Sequence, residues 1–338
     1  MVAPIVSAPA AARPVSSIIP VVDDVARLRV LMVNVYFVGE PGDPRGWVLV
    51  DAGLPRSANA IRRAAEERFG PGAKPRAIVL THGHFDHVGA LPELTKVWPD
   101  VPIYAHELEI PYVKGRSPYP PPDPTVGGGS MSRLSPLYPK GPYDFGEQVF
   151  ALPSDGSIPA MPGWQWVATP GHSPGHVSLF REGDRTLLVG DAFVTTKQES
   201  ALAVLTQRQE MHGPPMYFTC DWEAAADSVR RLDDLRPMVA ATGHGVPMRG
   251  ARLREELGRL ARDFEQVAVP RHGRYVGRPA VTDRKGVVSV PPAPADVVPK
   301  LLMGMAVSFA MVGVINLIRK PFPDEIVERD EHFIEYGA

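Results

Sequence analysis

The chain has a single cysteine, Cys220, in 338 residues. That count excludes an intramolecular disulfide framework and any cysteine-rich zinc site. Charge of one sign is also lacking: 36 Lys and Arg face 38 Asp and Glu, for a net charge of −2. Without a basic run, nucleic acid is disfavoured as the main partner, and a small-molecule substrate is expected. The first residues, Met1 to Pro20, are rich in Ala, Pro and Ser and carry no positive stretch before an apolar core. They do not read as a signal peptide. Residues 1–21 are therefore expected to form an N-terminal arm, and the location is expected to be cytoplasmic.

Proline is abundant instead. The 38 prolines make up roughly 11% of the chain, against a usual ~5%. They cluster in the arm, in 118–142 and in 291–299, so they punctuate loops. A hydrophobic content of 44% supplies a real core and rules out global disorder. One apolar run is long: Leu301 to Ile318 carries no charge and is preceded by Lys300 and followed by Arg319 and Lys320. As a helix it would be about 27 Å long, enough to cross a hydrocarbon core. It reads as an apolar C-terminal helix, either a membrane anchor or a buried or subunit-interface helix. Residues 271–300 read as a Pro-rich linker to it and 319–338 as a charged tail.

Hydrophobic alternation predicts strands within Arg29–Val38 and Trp47–Val50, then at Ala77–Leu80, Pro102–Ala105, Gln148–Leu152, Trp164–Thr169, His176–Arg181, Thr186–Val189 and Met238–Ala241. Helical patterns cover Ser57–Phe69, Leu91–Trp98, Asp221–Leu235 and Ala251–Val267, with Ser57 and Asp221 placed to cap. Strand runs followed by helices, repeated twice, predict two sheets with helices outside them. Residues 115–146 interrupt the pattern with eight prolines, three consecutive glycines and the tyrosines Tyr119, Tyr138 and Tyr143. A long loop of this kind inside a compact domain is expected to act as a lid over a site.

The chemistry is concentrated in Thr81–Ala90, THGHFDHVGA. It sets His82, His84, Asp86 and His87 within six residues, directly after a strand. Alternation puts His82 and His84 on one side of an extended segment, and a turn brings Asp86 and His87 from another direction. Imidazole and carboxylate suit zinc, and also iron or manganese. Further candidates follow strands at His172 in TPGHSPGH, Asp191 in LLVGDAF, His244 in TGHG and Asp51 in VLVDAG. Glycine flanks these positions, as it does where backbone turns tightly around a site.

These segments, in this order across residues 22–270, resemble the metallo-β-lactamase-fold hydrolase superfamily. The resemblance implies an α/β fold, an αββα sandwich with its site at one edge of the two sheets. By resemblance, His82, His84 and His172 would hold a first divalent ion, and Asp86, His87 and His244 a second. Asp191 would bridge the two, and Asp51 would support the ligands from behind. Two zinc ions are expected, with iron or manganese as alternatives. Such a pair lowers the pKa of a shared water towards 7 and polarises the substrate oxygen, which is hydrolytic chemistry. Asp86 is the candidate for orienting that nucleophile or shuttling its proton. His176 is expected to pack or hydrogen-bond near the site. Ser173, Cys220, His106, His212, His272 and His332 are not expected to take part, and Trp164 and Trp166 read as core.

Departures from the superfamily narrow the substrate. The antibiotic-degrading β-lactamases lack the bridging aspartate, which is present here as Asp191. Flavodiiron proteins carry Glu where His84 stands, and a flavodoxin domain that is missing here. Acyl-homoserine lactonases place a tyrosine three residues after the bridging aspartate, where this chain has Val194; Tyr119, Tyr138 or Tyr143 could supply a phenol instead. The glyoxalase II-type thioesterases resemble the chain across the metal motifs, with Arg271, Arg274 and Tyr275 near where their glutathione region lies. Thioester and lactone hydrolysis are the expected activities. A mononuclear-iron sulfur-compound dioxygenase and a membrane-tethered, non-catalytic interaction protein of the same fold are the alternatives.

Overall fold

The computed structural model describes residues 18–294. The expected apolar helix at 301–318 and the charged tail lie outside the described residues, as do most of the arm and the end of the expected linker. Among the described residues no helix is long and apolar enough to cross a membrane.

Seven strands follow one another across the first sheet: β1 (Ile18–Val22), β2 (Val25–Val30), β3 (Val33–Val38), β4 (Val48–Val50), β5 (Ala77–Val79), β6 (Ile103–Ala105) and β7 (Val149–Ala151). The pairs from β1 to β4 are antiparallel and those from β4 to β7 are parallel. The second sheet holds β8 (Trp164–Ala168), β9 (Val177–Arg181), β10 (Thr186–Gly190), β11 (Val239–Thr242) and β12 (Met248–Arg249) in the order β12-β11-β10-β9-β8. Only β10 and β11 run parallel there.

Strand alternation builds the layers. In β4, Val48 and Val50 enter a core shared by both sheets, while Leu49 enters a core on the opposite face. In β5, Ala77 and Val79 divide from Ile78 in the same way. The second sheet mirrors this. Leu188, Val239 and Ala241 face the shared core, while Leu187, Val189 and Ala240 face outward to helices. Strands buried on both faces need apolar residues at every position, and these strands have them.

Nine helices flank the sheets among the described residues: α1 (Ala58–Phe69), α2 (Phe85–Val88), α3 (Leu91–Val97), α4 (Ile110–Val113), α5 (Ser130–Leu134), α6 (Ala201–Thr206), α7 (Trp222–Asp234), α8 (Gly250–Arg262) and α9 (Phe264–Val267). α1 buries Ala58, Ile61, Ala64, Ala65 and Phe69, a helical-period stripe. Phe69 stacks on Trp47 at 4.7 Å between ring centroids. α7 packs Trp222, Ala225, Ala226, Val229 and Leu232 on the outer core of the second sheet. The Asp221 side chain caps it by accepting from the Ala224 N–H at 3.0 Å. The result is the expected αββα order of layers.

Several boundaries differ from the sequence reading. Strand β1 begins at Ile18, inside the stretch read as an arm, and pairs with β2. The segment 271–300, read as a linker, contains a hairpin of β13 (Val281–Asp283) and β14 (Gly286–Ser289), turning at Arg284 and Lys285. The pattern from Arg29 to Val38 is two strands, because the chain turns at Leu31 with φ 54°. The helix expected over 251–267 breaks at Asp263 into α8 and α9. Ser57 precedes α1 but does not cap it; its hydroxyl donates to the Leu54 carbonyl at 2.7 Å.

Candidate metal centre

The site residues leave the carboxyl ends of strands in both sheets, where parallel strands and their loops open a crevice. Asp51 follows β4, His82 to His87 follow β5, Asp191 follows β10 and His244 follows β11. His172 lies on the turn between β8 and β9. The Val177 N–H donates to the Thr81 carbonyl at 2.9 Å, so the two sheets meet beside the histidine segment.

Seven side chains converge there. The donor atoms of His82, His84 and His172 lie within 4.8 Å of one another, as do those of Asp86, His87 and His244, and those of His82, His87 and Asp191. None of the seven residues is more than 5% exposed. Asp191 Oδ2 is 3.1 Å from His244 Nε2 and 3.5 Å from both His87 Nε2 and His172 Nε2. Asp86 Oδ2 is 3.4 Å from His244 Nε2. His84 Nδ1 and His172 Nε2 approach to 3.0 Å.

This donor set fits divalent cations. His82 Nε2, His87 Nε2 and Asp191 Oδ1 are buried without a hydrogen-bond partner. Orphaned buried polar atoms are costly, and cations bound among them would satisfy all three. Burial, then neighbouring imidazoles, holds His82 and His84 well below the usual imidazole pKa. Burial likewise brings His172 down to about 3. These three imidazoles are neutral, as ligands must be. Burial opposes charge on His87 and His244 too, but the Asp191 carboxylate beside them pulls both upward. Asp191 itself lies well below the usual carboxylate range; burial would raise it, and His244 and His87 outweigh that.

Two of the imidazoles, His87 and His244, are also held on their far side. Asp51 Oδ2 contacts His87 Nδ1 at 2.8 Å and accepts from the Thr81 hydroxyl at 2.8 Å, while Oδ1 accepts from the Thr81 N–H. Asp51 adopts φ 62°, a left-handed conformation in which a non-glycine residue is strained. His244 Nδ1 donates to the Met32 carbonyl at 2.6 Å. The turn around His244 is tied to the first sheet through Asn34 Nδ2 to the carbonyls of Thr242 and Gly245. Such partners fix ring orientation and tune ligand basicity. His176 is not among the converging donors. Its Nε2 accepts from the Asp191 N–H at 2.8 Å, so its Nδ1 donates to the Thr169 hydroxyl.

The three tyrosines are placed differently from one another. Tyr119, expected to offer its phenol to substrate, is buried and donates its hydroxyl to Glu109 instead; its ring packs against His84 at 4.7 Å. Tyr138 packs on Phe85 and Phe218 and donates to the Met131 carbonyl at 3.0 Å. The Tyr143 hydroxyl is buried with no partner. Burial, then the charge of Asp86, raises the phenol pKa of both Tyr138 and Tyr143. Sequence reasoning missed Phe218, which stacks on His84 at 4.4 Å, and Tyr217 beside it. It also missed Glu109. The aromatic pair before Cys220 was the available signal; an isolated Glu between two strands offered none. Ser173 donates to Glu109 at 2.8 Å. Cys220 is buried, and burial pushes its thiol up. Trp164 is core, while Trp166 is half-buried and donates to the Pro153 carbonyl.

The family model of the metallo-β-lactamase superfamily matches residues 28–244, more than half of the chain. The chain belongs to that superfamily. It is 49% identical over 240 residues to the probable metallo-hydrolase YflN of Bacillus subtilis (strain 168), covering 71% of this chain and 90% of the relative. It is 29% identical over 133 residues to a hydroxyacylglutathione hydrolase of Erwinia tasmaniensis, covering 39% of this chain and 38% of that one. The fold is similar to that of a metallo-β-lactamase family protein, TTHA1429 from Thermus thermophilus, with a TM-score of 0.50 and 21% identity over 73% of this chain and 81% of that one. The chain is thus a metallo-hydrolase superfamily member with a buried His/Asp metal-binding cluster.

Proposed function

We propose that this protein is a dinuclear metal-dependent hydrolase acting on a small ester-like substrate, a thioester or a lactone. The observation that carries the reading is the position of Asp191: one carboxylate oxygen lies within 3.5 Å of imidazole nitrogens from His87, His172 and His244. A carboxylate so placed between two groups of ligands is the arrangement that lets one residue serve two ions. His82, His84 and His172 would hold one ion and Asp86, His87 and His244 the other, with zinc favoured and iron or manganese as alternatives. When bound, such a pair supplies an activated water and Lewis acidity at the substrate oxygen.

The chain's own residues do the rest. Asp86, 5% exposed, and His84, 3% exposed, are the least covered of the seven, so the open side of the cluster lies beside them. Asp86, beside the open side and within 3.4 Å of His244 Nε2, is placed to orient a nucleophile held at the cluster. The Tyr143 phenol is buried without a partner, and burial, then the charge of Asp86, keeps it protonated. Phe85, Tyr138 and Phe218 pack into an apolar wall beside His84. The partial match to a hydroxyacylglutathione hydrolase supports a thioester.

The test is a set of initial rates on lactones, glutathione thioesters, phosphoesters and a chromogenic cephalosporin, with the full chain loaded with zinc or manganese. One preferred ester class is expected, and Asp86→Asn should lower its kcat by about 10²–10⁴. Full activity in Asp86→Asn removes the role given to that residue. No turnover of any class by the loaded protein removes the hydrolase reading.

A further inference from the structure

Glu109 immediately precedes α4 and is fully buried. Its carboxylate accepts four hydrogen bonds from three separate segments. Oε2 takes the Gly83 N–H at 3.0 Å and the Tyr119 hydroxyl. Oε1 takes the Ser173 hydroxyl at 2.8 Å and the Gly175 N–H at 2.7 Å. Gly83 stands between His82 and His84, and Ser173 and Gly175 follow closely after His172. One carboxylate therefore joins the two loops that carry His82, His84 and His172.

The approach is built into the sequence. A Cβ on Gly175 would lie 2.8 Å from the Glu109 N and 2.9 Å from its Cγ; a Cβ on Gly83 would strike the Tyr119 hydroxyl and lie 2.7 Å from Val113 Cγ1. The Tyr119 ring in turn packs between Tyr112, at 4.1 Å, and His84, at 4.7 Å. The other ligand group has different supports. His87 rests on Asp51, and His244 on the Met32 carbonyl. Asp51 also reaches His82 through the Thr81 hydroxyl, 3.1 Å from His82 Nδ1, whereas Glu109, among the described residues, hydrogen-bonds none adjacent to Asp86, His87 or His244.

We infer that Glu109 is a positioning residue that sets the geometry of the His82, His84 and His172 group, and thereby controls one of two metal-binding steps and not the other. The inference rests on the two-metal reading above. A burial this complete is tolerated because four donors satisfy the charge. Replacement by Gln keeps the shape but puts an NH₂ group against one backbone N–H, of Gly83 or of Gly175, so that loop must move away.

The experiment is a cobalt titration of the full chain, read by visible absorption and by metal content after dialysis against a chelator. Wild type, Glu109→Gln, His172→Ala and His244→Ala are compared. Glu109→Gln should weaken one binding step by about 10–100-fold, the range for such supporting residues, and leave the other unchanged. Its remaining cobalt spectrum should match that of His172→Ala and not that of His244→Ala. Tyr119→Phe and Ser173→Ala each remove one donor and should give smaller losses at the same step. They decide the question if Glu109→Gln fails to fold. Wild-type binding at both steps in folded Glu109→Gln, or equal loss at both steps in any of these variants, overturns the inference and leaves the two-metal reading intact. A wild type that binds fewer than two equivalents overturns both.

Discussion

Gly243 shows how little room the ligand cluster leaves. A Cβ there would fall on Asp191 Oδ1 and lie 2.8 Å from His87 Cε1. Gly243→Ala is therefore expected to cost about 1–3 kcal/mol through forced displacement of neighbours and to lower the metal content. Gly183, with nothing within 4 Å of its would-be Cβ, is the control. Urea unfolding of both variants checks this: equal midpoints would contradict the close approach. At this scale the ligand side chains were readable, because four of them share six residues and the others sit in short glycine-flanked motifs. Glu109 and Phe218 were not readable. Each reaches the cluster from a distant segment, and neither belongs to a periodic or spaced pattern. Tyr119 was misplaced for a related reason: a phenol in a proline-rich loop reads as available to substrate until its buried carboxylate partner is known.

Among elements, the join between the sheets is carried partly by Arg181 at the end of β9. Its guanidinium meets Asp24, in the turn between β1 and β2, and Asp184, in the turn before β10. The Arg181 guanidinium beside Asp184 brings that carboxyl down to about 2 from 3.8. A carboxyl depressed in the folded state contributes stability above its unfolded pKa, and loses that contribution as pH falls through the folded value. Asp184→Asn should therefore lower the unfolding midpoint at pH 5, with the gap to wild type closing as pH falls towards 2. Because the Asp184 side chain is 42% exposed, solvent screening keeps the effect below about 1 kcal/mol. A gap that does not change with pH would contradict a contribution from the Asp184 charge. Element type was legible wherever alternation or helical periodicity ran for several residues, as in β10 and α7. Short pieces such as β12 and the β13–β14 hairpin were not, because two to four residues carry no period.

For the whole molecule, the cluster is a concentration of buried polar groups that the fold closes around. Asp51, Asp86 and Asp191 are buried within it together with His82, His84, His87, His172, His176 and His244. Cations that bind this arrangement and not the unfolded chain stabilise it by mass action, by about 2.7 kcal/mol when present at a hundred times their Kd. Exhaustive chelation should then lower Tm by about 5–10 °C for a domain of this size, with recovery on adding zinc or manganese. A Tm indifferent to chelator would mean that the cluster is stable without an ion. The αββα layering was legible at this scale from the order of strands and helices. The closing of the site by Phe218 and Tyr138 was not, since it depends on two segments far apart in the chain meeting over His84 and Phe85.

The central claim is that one buried cluster binds two divalent ions on either side of Asp191. Crystals of the full chain grown with zinc, and an anomalous difference map recorded at the zinc edge, test it most directly. The account predicts two peaks about 3.5–4 Å apart, one beside His82, His84 and His172 and the other beside Asp86, His87 and His244. A single peak, or none at the cluster, would contradict it.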